Sequence, residues 1–366
     1  MPSDVSRSGL DQGLLSPATA GREAPVTDDA VLAALVTAEI GLVEAYAAVG
    51  GLDQERDRAG VLADARGLAA LLDEGAGAAM LDARELALAG IAGGNPVIPL
   101  VKRLRQAAGA LVRPWVHRGA TSQDILDTAL MMVAKDAAGH VLSSLDATTE
   151  ALERFAREHR DQTAAARTLT QHAVPTTTGL RAANWLRALR RSRERLAAAR
   201  DCLPAQLGGA GGTLASFVEI LGADRAARLP AAFADAVGLA APDAPWHTAR
   251  WPVTELGDAL VQALDALGVL AADVATLSRT EIGELAEGSG GGSSAMPQKQ
   301  NPARSVLIRS AALRGPHLGA TLHTTAALAV DERPDGAWHA EWPTLRELLR
   351  VALGAAAHAA DLADGL

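Results

Sequence analysis

Cysteine is almost missing from this chain: Cys202 stands alone among 366 residues. No disulfide can close within the sequence, and no Cys/His spacing forms a metal-ligand set, so a reducing compartment and no metal are expected. Aromatics make up only 3%, and runs of β-branched residues are few. Strand patterns are therefore thin, while abundant alanine, leucine and arginine favour helix almost throughout. Positive charge is in deficit too, with a net charge of −9 and a pI near 5.5. Phosphate binding needs a basic face, so nucleic acid is not an expected partner. No charged-then-apolar leader opens the chain and no unbroken apolar run reaches bilayer length. A soluble cytoplasmic protein with no membrane partner is the expectation.

One segment runs against the acidic balance. Arg181, Arg187, Arg190, Arg191, Arg193, Arg195 and Arg200 crowd together, but on a helix they point several ways. A solvated face paired with acids of neighbouring helices is the simpler reading; an anion site is the other.

What the sequence does have is a polar loop between apolar-periodic segments, Gly290-Gly291-Gly292-Ser293-Ser294-Ala295-Met296-Pro297-Gln298-Lys299-Gln300-Asn301-Pro302. Three glycines followed by two serines hold neither helix nor strand. Asn301 and Pro302 suit the cap and first position of a helix, which would leave free backbone N–H groups facing the loop. Two hydroxyls and one ammonium carried onto a helix N-terminus suit the gripping of an anion. A plain Gly/Ser linker is the alternative, and Lys299 with the two prolines argues against it.

Residues 1–27 read as a loose arm, and a first helix follows from a cap at Thr27-Asp28-Asp29 through Val49. Shorter helices are expected near 54–74 and 77–92, ahead of the turn at Gly93-Gly94-Asn95-Pro96. Thr121 or Ser122 caps a helix whose spacing persists to Arg160, ~35 residues and so ~50 Å, which implies a long bundle. Arg167 to Thr177 reads as a polar lead-in to the next helix. Gln206 to Leu214 is a glycine-rich bend, and Val253 to Ile282 and Pro302 to about Leu328 are long periodic segments. Trp338 and Trp342, one turn apart, bury area at a helix junction.

Several stretches resemble one family. GSSAMPQKQNP is similar to the signature loop of the fumarase/aspartase superfamily. VHRGATSQDILDT, RTLTQHAVPTT, GGAGGT and PWHTAR resemble its other conserved regions, with Leu169 where amine- and water-eliminating members carry histidine and Trp251 in place of a usual aspartate. Any ion pair for Arg250 must then come from elsewhere. Asp331 to Trp342, DERPDGAWHAEW, resembles bacterial 3-carboxy-cis,cis-muconate cycloisomerases.

The resemblance implies an all-α, fumarase/aspartase-like fold with a central bundle of long helices. The expected divisions are an N-terminal helical domain at 1–110, the bundle at 111–345 and a short C-terminal helix at 346–366, without the further small helical domain of longer members. It also implies a homotetramer with shared active sites, a small polycarboxylate substrate and no cofactor. The catalytic residues it implies are Ser293 as acid/base, His172 and Lys299. The substrate-binding residues are His117, Thr121, Ser122, Gln171, Thr213, His247, Ser294, Met296, Asn301, Arg333 and His339. For His339, packing at the helix junction is an equal alternative.

The family adds to or eliminates from carbon beside a carboxylate, so fixed positive groups must receive charge on an aci-carboxylate. The expected reaction is cyclisation of 3-carboxy-cis,cis-muconate to 4-carboxymuconolactone in protocatechuate degradation. The alternatives are a lyase of another polycarboxylate, of nitrosuccinate or adenylosuccinate type, or an idle structural homologue.

Overall fold

Helix α1, Asp28–Ala48, starts where the Thr27 side chain accepts from the Ala30 amide, with Asp28 and Asp29 in its first turn. In this computed structural model, residues 13–52, 57–72, 81–288, 291–293, 295–296 and 298–366 are described. Helices α2, Arg58–Gly67, and α3, Ala83–Gly90, are capped by the Asp57 and Asp82 carboxylates. Of the helices expected near 54–74 and 77–92, residues 54–56, 73–74 and 77–80 lie outside the described residues; α2 gives way to a 3-10 turn at Leu68–Leu72. Helix α4, Val97–Ala107, is started by Asn95, whose side chain accepts from Val97 and Ile98. The expected loose arm is packed from where it is described. Ala18, Thr19 and Val26 are buried, and a Cβ at Gly354 would run into the Ala18 carbonyl.

Five long helices form the bundle: α5 Ser122–Glu158, α6 Thr178–Asp201, α9 Trp251–Leu277, α10 Ala303–Ala327 and α11 Gly336–Asp364. Between α6 and α9 lie the short α7, Ala215–Leu221, and α8, Ala223–Val237. The bundle helices alternate in direction. Trp338, opening α11, reaches Asp127 in the first turns of α5, while Asp364 at its end meets Arg154 near the end of α5. Arg200 at the close of α6 donates to Lys135, early in α5, and Trp185 in the first turns of α6 donates to Asp273, late in α9. Arg304, opening α10, pairs with Asp361. The bundle thus has a head end, where α5, α9 and α11 start, and a tail end, where they stop. With 37 residues in α5, the two ends are about 55 Å apart. One continuous helix, α11, crosses the division expected near residue 345.

Among the described residues the chain is all-α apart from one hairpin, where the sequence pattern suggests a polar helix lead-in. Strands β1, Thr163–Thr168, and β2, Gln171–Thr177, pair antiparallel at the tail end. The turn residues Leu169 and Thr170 both have positive φ, 49° and 68°, as a tight two-residue hairpin turn requires.

Among the crowded arginines of α6, Arg190 and Arg193 pair with Glu153 and Asp146 of α5, as the simpler reading has it, while Arg191 pairs with Glu194 on α6 itself and Arg187 donates to Asn184. By length and mean hydropathy alone, α1 and α9 are apolar enough to cross a membrane; 67% of the α1 window and 50% of the α9 window are buried in the fold. Scattered acids break their apolar runs without making the helices polar on average.

Candidate active site

Thr121 ends the α5 lead-in in an extended conformation, and its amide donates to Asp124 Oδ2 at 2.9 Å. Asp124 is fully buried and does more than answer the helix dipole. It also accepts from the amides of Gly208 and Gly209, at 2.8 and 3.0 Å, and lies 2.8 Å from His247 Nε2. A carboxylate can only accept, so His247 carries hydrogen on Nε2. The glycine-rich bend is thereby folded onto the start of α5. His247, expected to meet substrate, is 4% exposed and committed to this carboxylate. Thr213 is exposed and its hydroxyl accepts from the Ala215 amide.

Above this buried layer, His117 and Ser122 line a cleft of about 760 Å³ together with Lys102, Arg105, Gln106 and Arg113. His117 holds a left-handed φ of 56°, a conformation that strains a non-glycine residue by about 1 kcal/mol or more. Gly119, at φ 76°, must be glycine, because a Cβ there would stand 2.9 Å from the Phe217 ring. His117 Nδ1 lies 2.7 Å from Oε1 of the buried Glu39. Burial works against a charged imidazole, but the Glu39 charge and hydrogen bond, with Asp124 behind them, raise the His117 pKa above its ordinary value. Arg333 donates to the Thr121 hydroxyl. His339 shares this end: Nδ1 is 2.9 Å from the Asp335 carbonyl, and its ring stacks edge-on to Trp338 and tilted to Trp342.

Under the site, Arg250 bridges Asp127 and Glu341, all three buried. These are the partners the sequence required from elsewhere once Trp251 stood in the usual acid's place. Asp127 also accepts from Trp338 Nε1 and Gln123 Nε2, so one carboxylate ties α5, α9 and α11 together. Burial pushes the Glu341 pKa up; Arg250 opposes this and Asp127 adds to it.

The tail end carries the rest. Gly291 and Asn301 exchange two backbone hydrogen bonds, 2.8 and 2.9 Å, closing the signature loop at its neck. Ser293 Oγ accepts from the amides of Ala295 and Met296 at 3.4 and 3.2 Å. Met296 and Lys299 are exposed; Ser294 lies outside the described residues. Asn301 is not a helix cap. Its side chain donates to the Gly292 carbonyl, and α10 starts at Ala303 with the Arg304 and Ser305 amides given to Glu287, 3.1 and 2.8 Å. Those N–H groups are consequently taken by a carboxylate rather than left for a ligand.

On the hairpin, Gln171 and His172 are exposed beside the turn, and Leu169 is 96% exposed at its tip. Arg167 and Arg181 both grip Glu284, which they hold below the usual carboxylate range, the Arg167 hydrogen bond first. The expected residues thus fall into two groups. His117, Thr121, Ser122, Thr213, His247, Arg333 and His339 are at the head; Gln171, His172, Ser293, Met296, Lys299 and Asn301 are at the tail. No cluster among the described residues is arranged to hold a metal. The sequence alone did not point to Glu39, Asp127, Glu341 or the cleft cations; a carboxylate on the apolar stretch Leu35–Val43 was the available signal for Glu39.

A lyase family model matches residues 91–314, well over half of the chain. The chain belongs to the fumarase/aspartase superfamily. Within that superfamily it is 47% identical to a nitrosuccinate lyase of Streptomyces davaonensis, over 98% of this chain and 75% of that protein. It is 40% identical to a 3-carboxy-cis,cis-muconate cycloisomerase of Bradyrhizobium diazoefficiens, over 79% of this chain and 64% of the other. The crystal structure of 3-carboxy-cis,cis-muconate lactonizing enzyme from Pseudomonas putida superimposes with a TM-score of 0.84 at 31% identity, covering 96% of this chain and 76% of that one. Superfamily chemistry on polycarboxylates follows from this membership.

Proposed function

We propose that the protein is a lyase of nitrosuccinate type, removing a proton beside one carboxylate and expelling nitrite from the neighbouring carbon. The observation that sets aside amine and water elimination is Leu169 at the hairpin tip, in the position where members eliminating amines or water carry a histidine, beside Gln171 and His172. A leucine neither gives nor takes a proton. Amines and hydroxide must be protonated as they leave, whereas nitrite and carboxylates depart as stable anions. The relative at 47% identity over nearly the whole chain supports nitrite over the cycloisomerase reaction expected first. The cycloisomerase remains the second reading, supported by DERPDGAWHAEW and by the 0.84 superposition. In it, the leaving or attacking group is the substrate's own carboxylate, so Leu169 serves equally.

In the nitrosuccinate reading, Ser293 takes the proton, the electron pair forms the C=C bond, and the C–N bond breaks to release nitrite and an unsaturated dicarboxylate. Lys299 and the donors around Thr121 and Ser122 receive charge on the aci-carboxylate. His172 flanks the leaving group. The head and tail groups are separated by roughly the length of α5, so a complete site needs more than one copy of the chain. Val269, Val306 and Leu313, 57%, 53% and 74% exposed on α9 and α10, fit such an assembly; a homotetramer with shared sites is the form proposed. The test is incubation of the purified protein with nitrosuccinate, 3-carboxy-cis,cis-muconate, adenylosuccinate and malate, following nitrite and absorbance. Nitrite release with nitrosuccinate is expected. Turnover of adenylosuccinate or malate overturns the leaving-group argument, muconate turnover alone shifts the assignment to the cycloisomerase, and no turnover of any supports an idle homologue.

A further inference from the structure

Glu39 is a carboxylate with no ordinary reason to be where it is. It sits on α1 with its side chain fully buried, Oε1 is 2.7 Å from His117 Nδ1, and Oε2 has no hydrogen-bond partner. Leaving one oxygen of a buried carboxylate unpaired is costly, and it is tolerated where the other oxygen has a task. The partner is held unusually as well, since His117 is kept at φ 56°, which points its ring between α1 and the cleft. Nε2 makes no hydrogen bond and is not among the buried unpartnered atoms, so it is open to the cleft that His117 lines.

From this geometry we propose that Glu39 is a positioning residue, which keeps His117 an imidazolium with its Nε2–H aimed into the cleft to receive one carboxylate of the substrate. The Nδ1 hydrogen is fixed by Glu39, because an ionised carboxylate can only accept. Protonation at both nitrogens then turns Nε2 from a lone pair, which repels an anion, into a charged donor. The charged groups facing the ring are Glu39 from α1, Asp124 from α5 and Arg105 from α4. Lys102 and Arg113 line the same cleft, so a dianion meets several cations there. Burial of the ring and Arg105 oppose the charge, but the two carboxylates outweigh both and raise the His117 pKa above its ordinary value. The carboxylate half of this inference rests on the polycarboxylate chemistry proposed above; the imidazolium half does not.

The experiment is a pH titration of ring-labelled histidine by NMR on the intact, assembled protein, with His117 assigned from His117→Asn. In the wild type, His117 is expected doubly protonated at pH 7, with succinate as probe shifting Nε2 and leaving Nδ1 unchanged. A neutral His117 at pH 7, or a succinate response absent from Nε2, overturns the proposal without any variant needing to fold. Glu39→Gln is expected to lower the His117 midpoint by about one pH unit or more. In kinetics with whichever substrate is turned over, the same variant should raise KM about tenfold at pH 7 with kcat little changed. That defect should shrink as pH falls to 5.5 and the imidazole regains its proton. A His117 midpoint unmoved by Glu39→Gln refutes the coupling. A KM defect independent of pH assigns Glu39 a merely structural role and refutes the positioning one. Should no substrate be turned over, the titration and succinate shifts still decide this inference, while the function proposed above fails separately.

Discussion

Replacing Arg250 with methionine keeps most of the side-chain stem and removes every donor from the centre of the head-end charge cluster. Arg250, Asp127 and Glu341 have side chains 2%, 0% and 1% exposed, so water cannot take the guanidinium's place. Asp127 retains Trp338 Nε1 at 2.8 Å and Gln123 Nε2 at 3.2 Å. Glu341 retains no hydrogen-bond partner among the described residues, and most of the loss falls there. Breaking a buried pair by removing one partner costs about 3–5 kcal/mol, a large share of a typical stability of about 5–15 kcal/mol.

The loss should depend on pH in a defined direction. Without Arg250, burial and Asp127 raise the Glu341 pKa further, so the folded variant binds more protons than the unfolded chain above about pH 4.3. Its stability therefore rises as pH falls through the raised folded value, by up to ~1.4 kcal/mol per unit for one group. Urea unfolding at pH 8 and pH 5.5, followed by tryptophan fluorescence at fixed protein concentration, measures both effects. Trp246 stacks on Arg250 at 4.7 Å and Trp338 bonds Asp127, so two of the six tryptophans report on the cluster directly. Adding Glu341→Gln to Arg250→Met should recover about 1–3 kcal/mol at pH 8. A loss below about 1 kcal/mol, or one equal at both pH values, would refute this account of the cluster.

Ser293→Ala should lower turnover by several orders of magnitude and leave unfolding unchanged, because the hydroxyl is half-exposed and bonds only two loop amides; retention of more than about a tenth of the activity would remove Ser293 from proton transfer. Lys299→Met should raise KM and lower kcat together, since the charge it meets grows in the transition state; an unchanged kcat would confine it to ground-state binding. Leu169→His should fold as well as the wild type, because histidine tolerates left-handed φ better than leucine. It should leave nitrite release from nitrosuccinate within about threefold, and a large acceleration would mean that the leaving group does need a proton.

The long helices were legible because their apolar spacing is sustained; α5 stops at Glu158, close to the Arg160 expected from sequence. The loop, the Thr121 start and the family motifs were legible because they are contiguous. The hairpin was not. Its strands, TAAART and QHAVPTT, lack strict alternation and lie half or more exposed, and its turn uses Leu169 and Thr170 where glycine or asparagine would have announced positive φ. The charge clusters were illegible for another reason. Asp127, Arg250 and Glu341 are far apart in sequence, and each alone looks like an ordinary solvated charge on a helix. Asn301 was misread because it has the chemistry of a cap, while the nearby Glu287, which takes the free amides of α10, sits on the far side of the loop. That the expected site residues fall at two ends of the bundle follows only from helix direction, which no local pattern encodes.

The neck formed by Gly291 and Asn301 insulates one part of the molecule from another. Its two backbone bonds fix the distance between the loop's ends, and Glu287 fixes the start of α10 independently of whatever the loop does. The start of α10 is thus held by bonds that involve neither Ser293 nor Lys299. Selection can rework the chemistry of that loop, residue by residue, without renegotiating the packing of the helices that carry it.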